Sequence, residues 1–166
     1  MSEKFTFFAK SSSVFSQWYP GAPFVKFGIR FKTAENFMMW RKGMLFGASQ
    51  VLLDAILQAD ARDAKKLGRA VPNFNQAIWD ASARVFVAEG NYAKFSQNPH
   101  ALAALLQTDG TTLVEAATWD RIWGIGLDAA DSRAWNRKTW LGLNWLGEVE
   151  VEVRETFLKV RRSSIN

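Results

Sequence analysis

The feature that most constrains this chain is a series of apolar residues spaced alternately four and three apart: Phe74, Ile78, Ala81, Val85, Ala88, Tyr92 and Phe95. Steps of four and three keep one side of an α-helix in register, so the spacing predicts a single long helix with this stripe buried. Shorter helices are predicted around it. Thr33 is a suitable N-cap for a helix through Met38, Met39 and Trp40 that stops near Gly47, which places Glu35 in the first turn. Ser49 to Ala59 reads as a second helix burying Val51, Leu52, Ala55 and Ile56, and a third runs from Asp60 to Gly68. Asn98-Pro99 reads as N-cap and first helical position of another, which carries Leu102, Leu105 and Leu106 and ends at the turn signal Asp109-Gly110.

Strand signals are few. Apolar alternation around a glycine suggests short strands or a hairpin at Lys4 to Phe8 and Phe24 to Phe31, and Thr111 to Ala116 suggests one more. Thr139 to Val160 carries two patterns. Val149, Val151 and Val153 alternate as in a strand, whereas Leu146, Val149, Val153, Phe157 and Val160 fit a helix, and the longer pattern predicts a helix. The expected fold class is mainly α, with a few short N-terminal β-strands. At 166 residues, 48% hydrophobic and 22% charged, the chain has the size and balance of one globular domain, 1–166 with its core at about 5–158.

Composition narrows the chemistry. There is no cysteine, which removes disulfides, thiolate nucleophiles and zinc–cysteine sites. The lone histidine, His100, falls in the first turn of a helix and reads as a surface residue, so neither a histidine triad nor a metal site is expected, and no cofactor either. Carboxylates, lysine, hydroxyls and aromatics remain. No apolar run approaches the roughly 18 residues of a membrane span, and Met1 to Phe8 lacks an export leader, so a soluble cytoplasmic protein is expected with no membrane partner. The net charge of +5 is spread over small basic groups at Arg41-Lys42, Lys65-Lys66 with Arg69, Arg133 with Arg137-Lys138, and Arg161-Arg162. Such groups read as solvated faces, with a mild preference for phosphate-bearing partners.

The common nucleotide and hydrolase motifs are absent, since Gly124-Ile125-Gly126 has no third glycine and no phosphate loop, nucleophile elbow or His-Glu-x-x-His helix occurs. Thr118 to Gly126 nevertheless packs an acid, a guanidinium and two indoles beside two glycines. By its chemistry it fits an active-site loop and, equally, a tight turn with tryptophans plugging the core and a surface Asp120–Arg121 pair.

A resemblance separates these. Ser16-Gln17-Trp18-Tyr19-Pro20, Phe31 to Met39, Leu67-Gly68-Arg69, Lys94 to Pro99, Leu113 to Ala116, Asp120 to Gly126 and Trp140 to Gly147 occur in the order found in the NADAR family, the YbiA-like N-glycosidases. The chain resembles that family from about Phe5 to Arg154. The resemblance implies a compact, mainly helical domain that cleaves N-glycosidic bonds between ribose and a base or amine. Characterised relatives hydrolyse phosphorylated early intermediates of riboflavin biosynthesis, and others remove ADP-ribose from guanine in nucleic acid. A non-catalytic module binding ADP-ribose is the further alternative. The family's catalytic set falls on Glu35, Trp79, Asp120 and Trp123, while Asn36 stands where a histidine is common. The expected substrate contacts are Trp18, Arg69, Lys94, Arg121, Gly124, Gly126 and Asn144. The expected partner is a small phosphorylated ribosyl compound or an ADP-ribose derivative, with nucleic acid as the other option.

These roles make chemical sense, because breaking a ribosyl C–N bond places positive charge on the sugar. Glu35 and Asp120 are natural carboxylates to stabilise it, Trp79 and Trp123 offer faces for a heterocycle, and Arg69 and Arg121 suit a phosphate. Each has a plainer reading. Glu35 suits a helix dipole, Trp79 flanks the apolar stripe as core does, and Asn144 fits either a ligand contact or a satisfied buried amide. Lys94 lies 15 residues beyond Trp79, about 22 Å along a straight helix, so the two share a pocket only if the helix bends, for instance at Gly90.

Overall fold

A computed structural model describes residues 3–164; Met1, Ser2, Ile165 and Asn166 lie outside them, including the first two residues of the stretch read for an export leader. In chain order the elements are β1 (Phe5–Phe8), β2 (Phe24–Lys26), β3 (Ile29–Phe31), α1 (Ala34–Leu45), α2 (Gln50–Gln58), α3 (Ala61–Gly68), α4 (Gln76–Gln97), α5 (Pro99–Gln107), β4 (Thr112–Glu115), two short 3-10 turns (Ser132–Trp135 and Arg137–Thr139) and α6 (Trp145–Ser163). The fold is mainly α, and no described helix is long and apolar enough to cross a membrane. The chain divides into two compact units, one from residues 17–99 and the other from 1–16 with 100–166.

In the first unit, α1 packs on α2, α3 and α4, and the β2–β3 hairpin lies against α4 and α1. The Thr33 cap expected from the sequence forms, and three more helices are capped in the same way. Thr33, Ser49, Asp60 and Asn75 each accept a first-turn N–H with a side-chain oxygen, which satisfies a donor that the helix leaves orphaned. Asn36, where the family commonly has histidine, is fully buried and donates to the Ile56 and Ala59 carbonyls at the end of α2. It fastens α1 to α2.

The long helix is real, but its face is not the predicted one. Phe74, Ile78, Val85 and Tyr92 are exposed, and of the predicted stripe only Phe95 is buried. The buried side carries Trp79, Ala83, Val87, Gly90, Asn91 and Lys94, rotated from the apolar stripe by about one residue. Small residues at Ala83 and Gly90 let α1 approach closely: a methyl group on Gly90 would meet the Phe37 ring. The predicted inward set of α2 is likewise shifted, with Leu53 and Ile56 buried and Val51 exposed.

In the second unit, β1 and β4 pair in parallel, with Phe5 opposite Thr112 and Phe8 opposite Glu115. Val114, Ile125, Leu127 and Ala134 form its buried apolar cluster, against which Phe5, Phe7 and Trp140 pack. The C-terminal region resolves as a helix, starting at Trp145 rather than Thr139 and burying Leu146, Val149 and Val153. Arg154 is buried on it and donates to the carbonyl and hydroxyl of Thr108.

Candidate active site

The expected site residues fall into both units. In residues 17–99, Glu35 opens α1 and is only 5% exposed, an unusual depth for a carboxylate. Its backbone N–H donates to the Gln17 carbonyl at 2.9 Å. The Gln17 side chain in turn accepts from Asn91 Nδ2 at 2.7 Å, and its own amide points at the Met38 sulfur, one turn after Glu35. Gln17 therefore stitches the start of α1 to the turn of α4 that carries Asn91 and Lys94. Asn91 is fully buried, and its second donor bond goes to the Val87 carbonyl. Lys94 is 1% exposed, so it is no solvated lysine.

Helix α4 runs unbroken through Gly90. Trp79 and Lys94 thus sit about 22 Å apart along it, near its two ends. Trp79 is buried and belongs instead to a second cluster around Lys42. The Lys42 ammonium lies 4.4 Å from the Phe74 ring centroid and 5.7 Å from that of Trp79, and it donates to the Gly68 carbonyl at 2.8 Å. Burial holds Lys42 below the ordinary lysine range; the Glu35 carboxylate opposes that shift and the Arg69 guanidinium adds to it. Glu35 and Lys42 are seven residues apart, so they lie on one face of α1. Arg69 caps the end of α3 and is exposed. Trp18, half-buried, has its ring 5.9 Å from Lys65 Nζ, one turn before Arg69 on α3.

In the other unit, the loop that resembled an active site is held by its backbone. Asp120 Oδ1 accepts from the N–H groups of Ile122 and Trp123 at 2.9 and 2.8 Å, and the Asp120 carbonyl accepts from Gly126. Five consecutive carbonyls, Arg121 to Ile125, accept from Leu143, Trp145, Leu146, Asn144 and Leu141 respectively. Two of these donors, Trp145 and Leu146, are first-turn amides of α6, so the loop caps the helix that follows it. Gly126 has φ +69°, and a methyl group on Gly124 would press on the Asp120 and Glu115 carbonyls. Both glycines serve the turn's path.

Asn144 also belongs to this framework. It is fully buried at φ +56°, accepts from the Glu115 N–H at 3.0 Å and donates to the Leu113 carbonyl at 2.9 Å. Its amide spans β4 as a neighbouring strand would, which is the satisfied-amide reading. Trp123 is half-buried and stands edge-on to Trp145, centroids 5.6 Å apart. Arg121 is exposed, as is Trp119 at 71%. The sequence reading missed Gln17, Asn91 and Lys42. Lys42 was legible as the basic residue two helical turns after Glu35, and Gln17 as a member of the segment Ser16 to Pro20 shared with the family; Asn91 carried no signal until its burial was known.

Comparison with known proteins gives a consistent result. The NADAR domain pattern matches residues 6–158 and so runs through both units. The chain is 40% identical over 151 residues to N-glycosidase R617 of Acanthamoeba polyphaga mimivirus, covering 86% of each chain. It is 27% identical over 115 residues to the chloroplastic riboflavin biosynthesis protein PYRR of Zea mays, covering 67% of this chain but 17% of that much longer protein. Among solved structures it superposes on the NMR structure of the E. coli protein YbiA with a TM-score of 0.77 at 22% identity, covering 97% of this chain and 89% of that one.

Proposed function

The chain belongs to the NADAR domain family and is a hydrolase of N-glycosyl bonds, and from that premise we propose that its substrate is a small phosphorylated ribosylamine of the kind met early in riboflavin synthesis. The observation that carries this reading is the buried Glu35, held by Gln17 at the head of α1 and within electrostatic reach of Lys42. The similarity to a riboflavin biosynthesis protein supports the substrate class.

The proposed chemistry is hydrolytic. As the C1–N bond lengthens, positive charge develops on the ribose ring, and the desolvated Glu35 carboxylate stabilises it and orients the attacking water. The water oxygen bonds to C1, its proton passes to the departing nitrogen, and ribose 5-phosphate and a free amine result. Lys94, on the helix packed against α1, is the second contact proposed for the sugar. Trp79, whose ring centroid lies 5.7 Å from the Lys42 ammonium, is proposed to wall the phosphate end of the substrate, and Asp120 holds the loop that carries Trp123. Arg69, at the end of α3, is the proposed phosphate contact.

A second reading rests on Trp119. An indole this exposed, beside Arg121 and the exposed Ile122, suits stacking on a base next to a modified nucleotide, as removal of ADP-ribose from guanine in nucleic acid requires. One experiment tests both: mass spectrometry of products from pyrimidine ribosylamine phosphates and from an ADP-ribosylated oligonucleotide. Release of ribose 5-phosphate is expected from the wild type and is expected to fall by about 100-fold or more in Glu35→Gln. Equal turnover by that variant sinks the mechanism, and turnover of the oligonucleotide alone selects the second reading.

A further inference from the structure

Three residues nominated separately from the sequence, Glu35, Arg69 and Trp79, converge on one that was not. Lys42 stands on the same face of α1 as Glu35, within electrostatic reach of both that carboxylate and Arg69, with its ammonium 5.7 Å from the Trp79 ring centroid. One of its three donors goes to the Gly68 carbonyl at 2.8 Å, which pins the ammonium beside the end of α3 where Arg69 begins. Lys65 extends the positive edge one turn back along α3, with the Trp18 ring 5.9 Å away. Three cations, Lys42, Arg69 and Lys65, therefore stand along this stretch, with the Glu35 carboxylate acting on Lys42 from the same face of α1. Such an excess on a half-buried, aromatic-walled patch is costly without an anion and is relieved by one.

We infer that Lys42, with Arg69 and Lys65 beside it, is the anchor of a phosphate subsite that sets a preference for phosphorylated over unphosphorylated ribosides. This rests on the reading of the chain as a ribosylamine hydrolase. The phosphate is grasped by the remaining Lys42 donors and the Arg69 fork, while the Phe74 and Trp79 rings exclude water from the ammonium. Glu35, on the same helix face and about 10 Å nearer its start, is then left to the sugar end of the substrate. A 5-phosphate and C1 lie on opposite sides of a ribose ring, so the two side chains match the two ends of one molecule.

Two measurements test the inference. In steady-state kinetics with a ribosylamine phosphate and its dephosphorylated counterpart, Lys42→Met should raise KM for the phosphorylated compound by about 10- to 100-fold, and Lys42→Arg should restore part of it. The preference between the two substrates, expressed as a ratio of kcat/KM, should shrink by the same factor, which a general loss of structure does not produce. In calorimetry, inorganic phosphate and ribose 5-phosphate should bind the wild type and bind Lys42→Met and Arg69→Met at least about tenfold more weakly. Full retention of phosphate preference and phosphate affinity in Lys42→Met overturns the inference. Failure of the wild type to cleave any ribosylamine removes the substrate reading instead, and the calorimetric comparison still decides whether Lys42 holds an anion.

Discussion

Gly147 sits in the first turn of α6, where a methyl group would run into the Leu113 carbonyl of β4 and the Asn144 amide. Neither can yield, because the amide bridges Leu113 and Glu115 and the carbonyl is its acceptor. Gly147→Ala is therefore expected to destabilise the protein by about 3 kcal/mol, measured by urea denaturation. Gly110 provides the contrast. It has φ +77° with open space around it, so Gly110→Ala meets only backbone strain and should cost about 1 kcal/mol. A similar cost for both would mean that close packing at the head of α6 is not what fixes the loop. Asp120 and Asn144 belong to the same framework. Both hold the path of a loop, through side-chain bonds to backbone that leave no trace in residue spacing.

Helix α4 shows how an element can be foreseen while its orientation is not. Its stripe of large apolar residues is what a buried face ordinarily looks like, yet Ile78, Val85 and Tyr92 face solvent and only Phe95 is buried. The inward face was built for other demands: small residues where α1 comes close, and Asn91 and Lys94 where a polar site is wanted. Hydrophobic periodicity scores neither. Val85 and Val87 test the assignment directly, at 66% and 1% exposure two residues apart and so on opposite faces of the same helix. Val87→Ala is expected to cost about 2 kcal/mol and Val85→Ala less than about 0.5 kcal/mol in chemical denaturation. The reverse order would restore the face predicted from sequence.

At the scale of the whole molecule, β4 depends on β1, with which it pairs in parallel across 107 residues of sequence (112 minus 5). Phe5 and Phe7 cover the cluster of Val114, Ile125, Leu127 and Ala134, and Ile125 belongs to the loop itself. Removing residues 1–9 should therefore lower Tm by about 10 °C or more, through loss of the strand ladder and of apolar burial beneath the loop. A truncated protein that melts like the full chain would show that β4 does not need its partner. The sequence alone determined the helices, the Thr33 cap and the family, because caps and turns are local chemistry and a shared motif order marks a shared family. Glu35 in a first helical turn was legible for the same reason. What the tertiary structure decided was burial: which face of α4 points inward, that Lys94 is desolvated, that Asn144 is spent on β4, and that Lys42 joins Glu35, Arg69 and Trp79. Burial depends on which surfaces meet, and residues far apart in the chain settle that together, so no local pattern contains it.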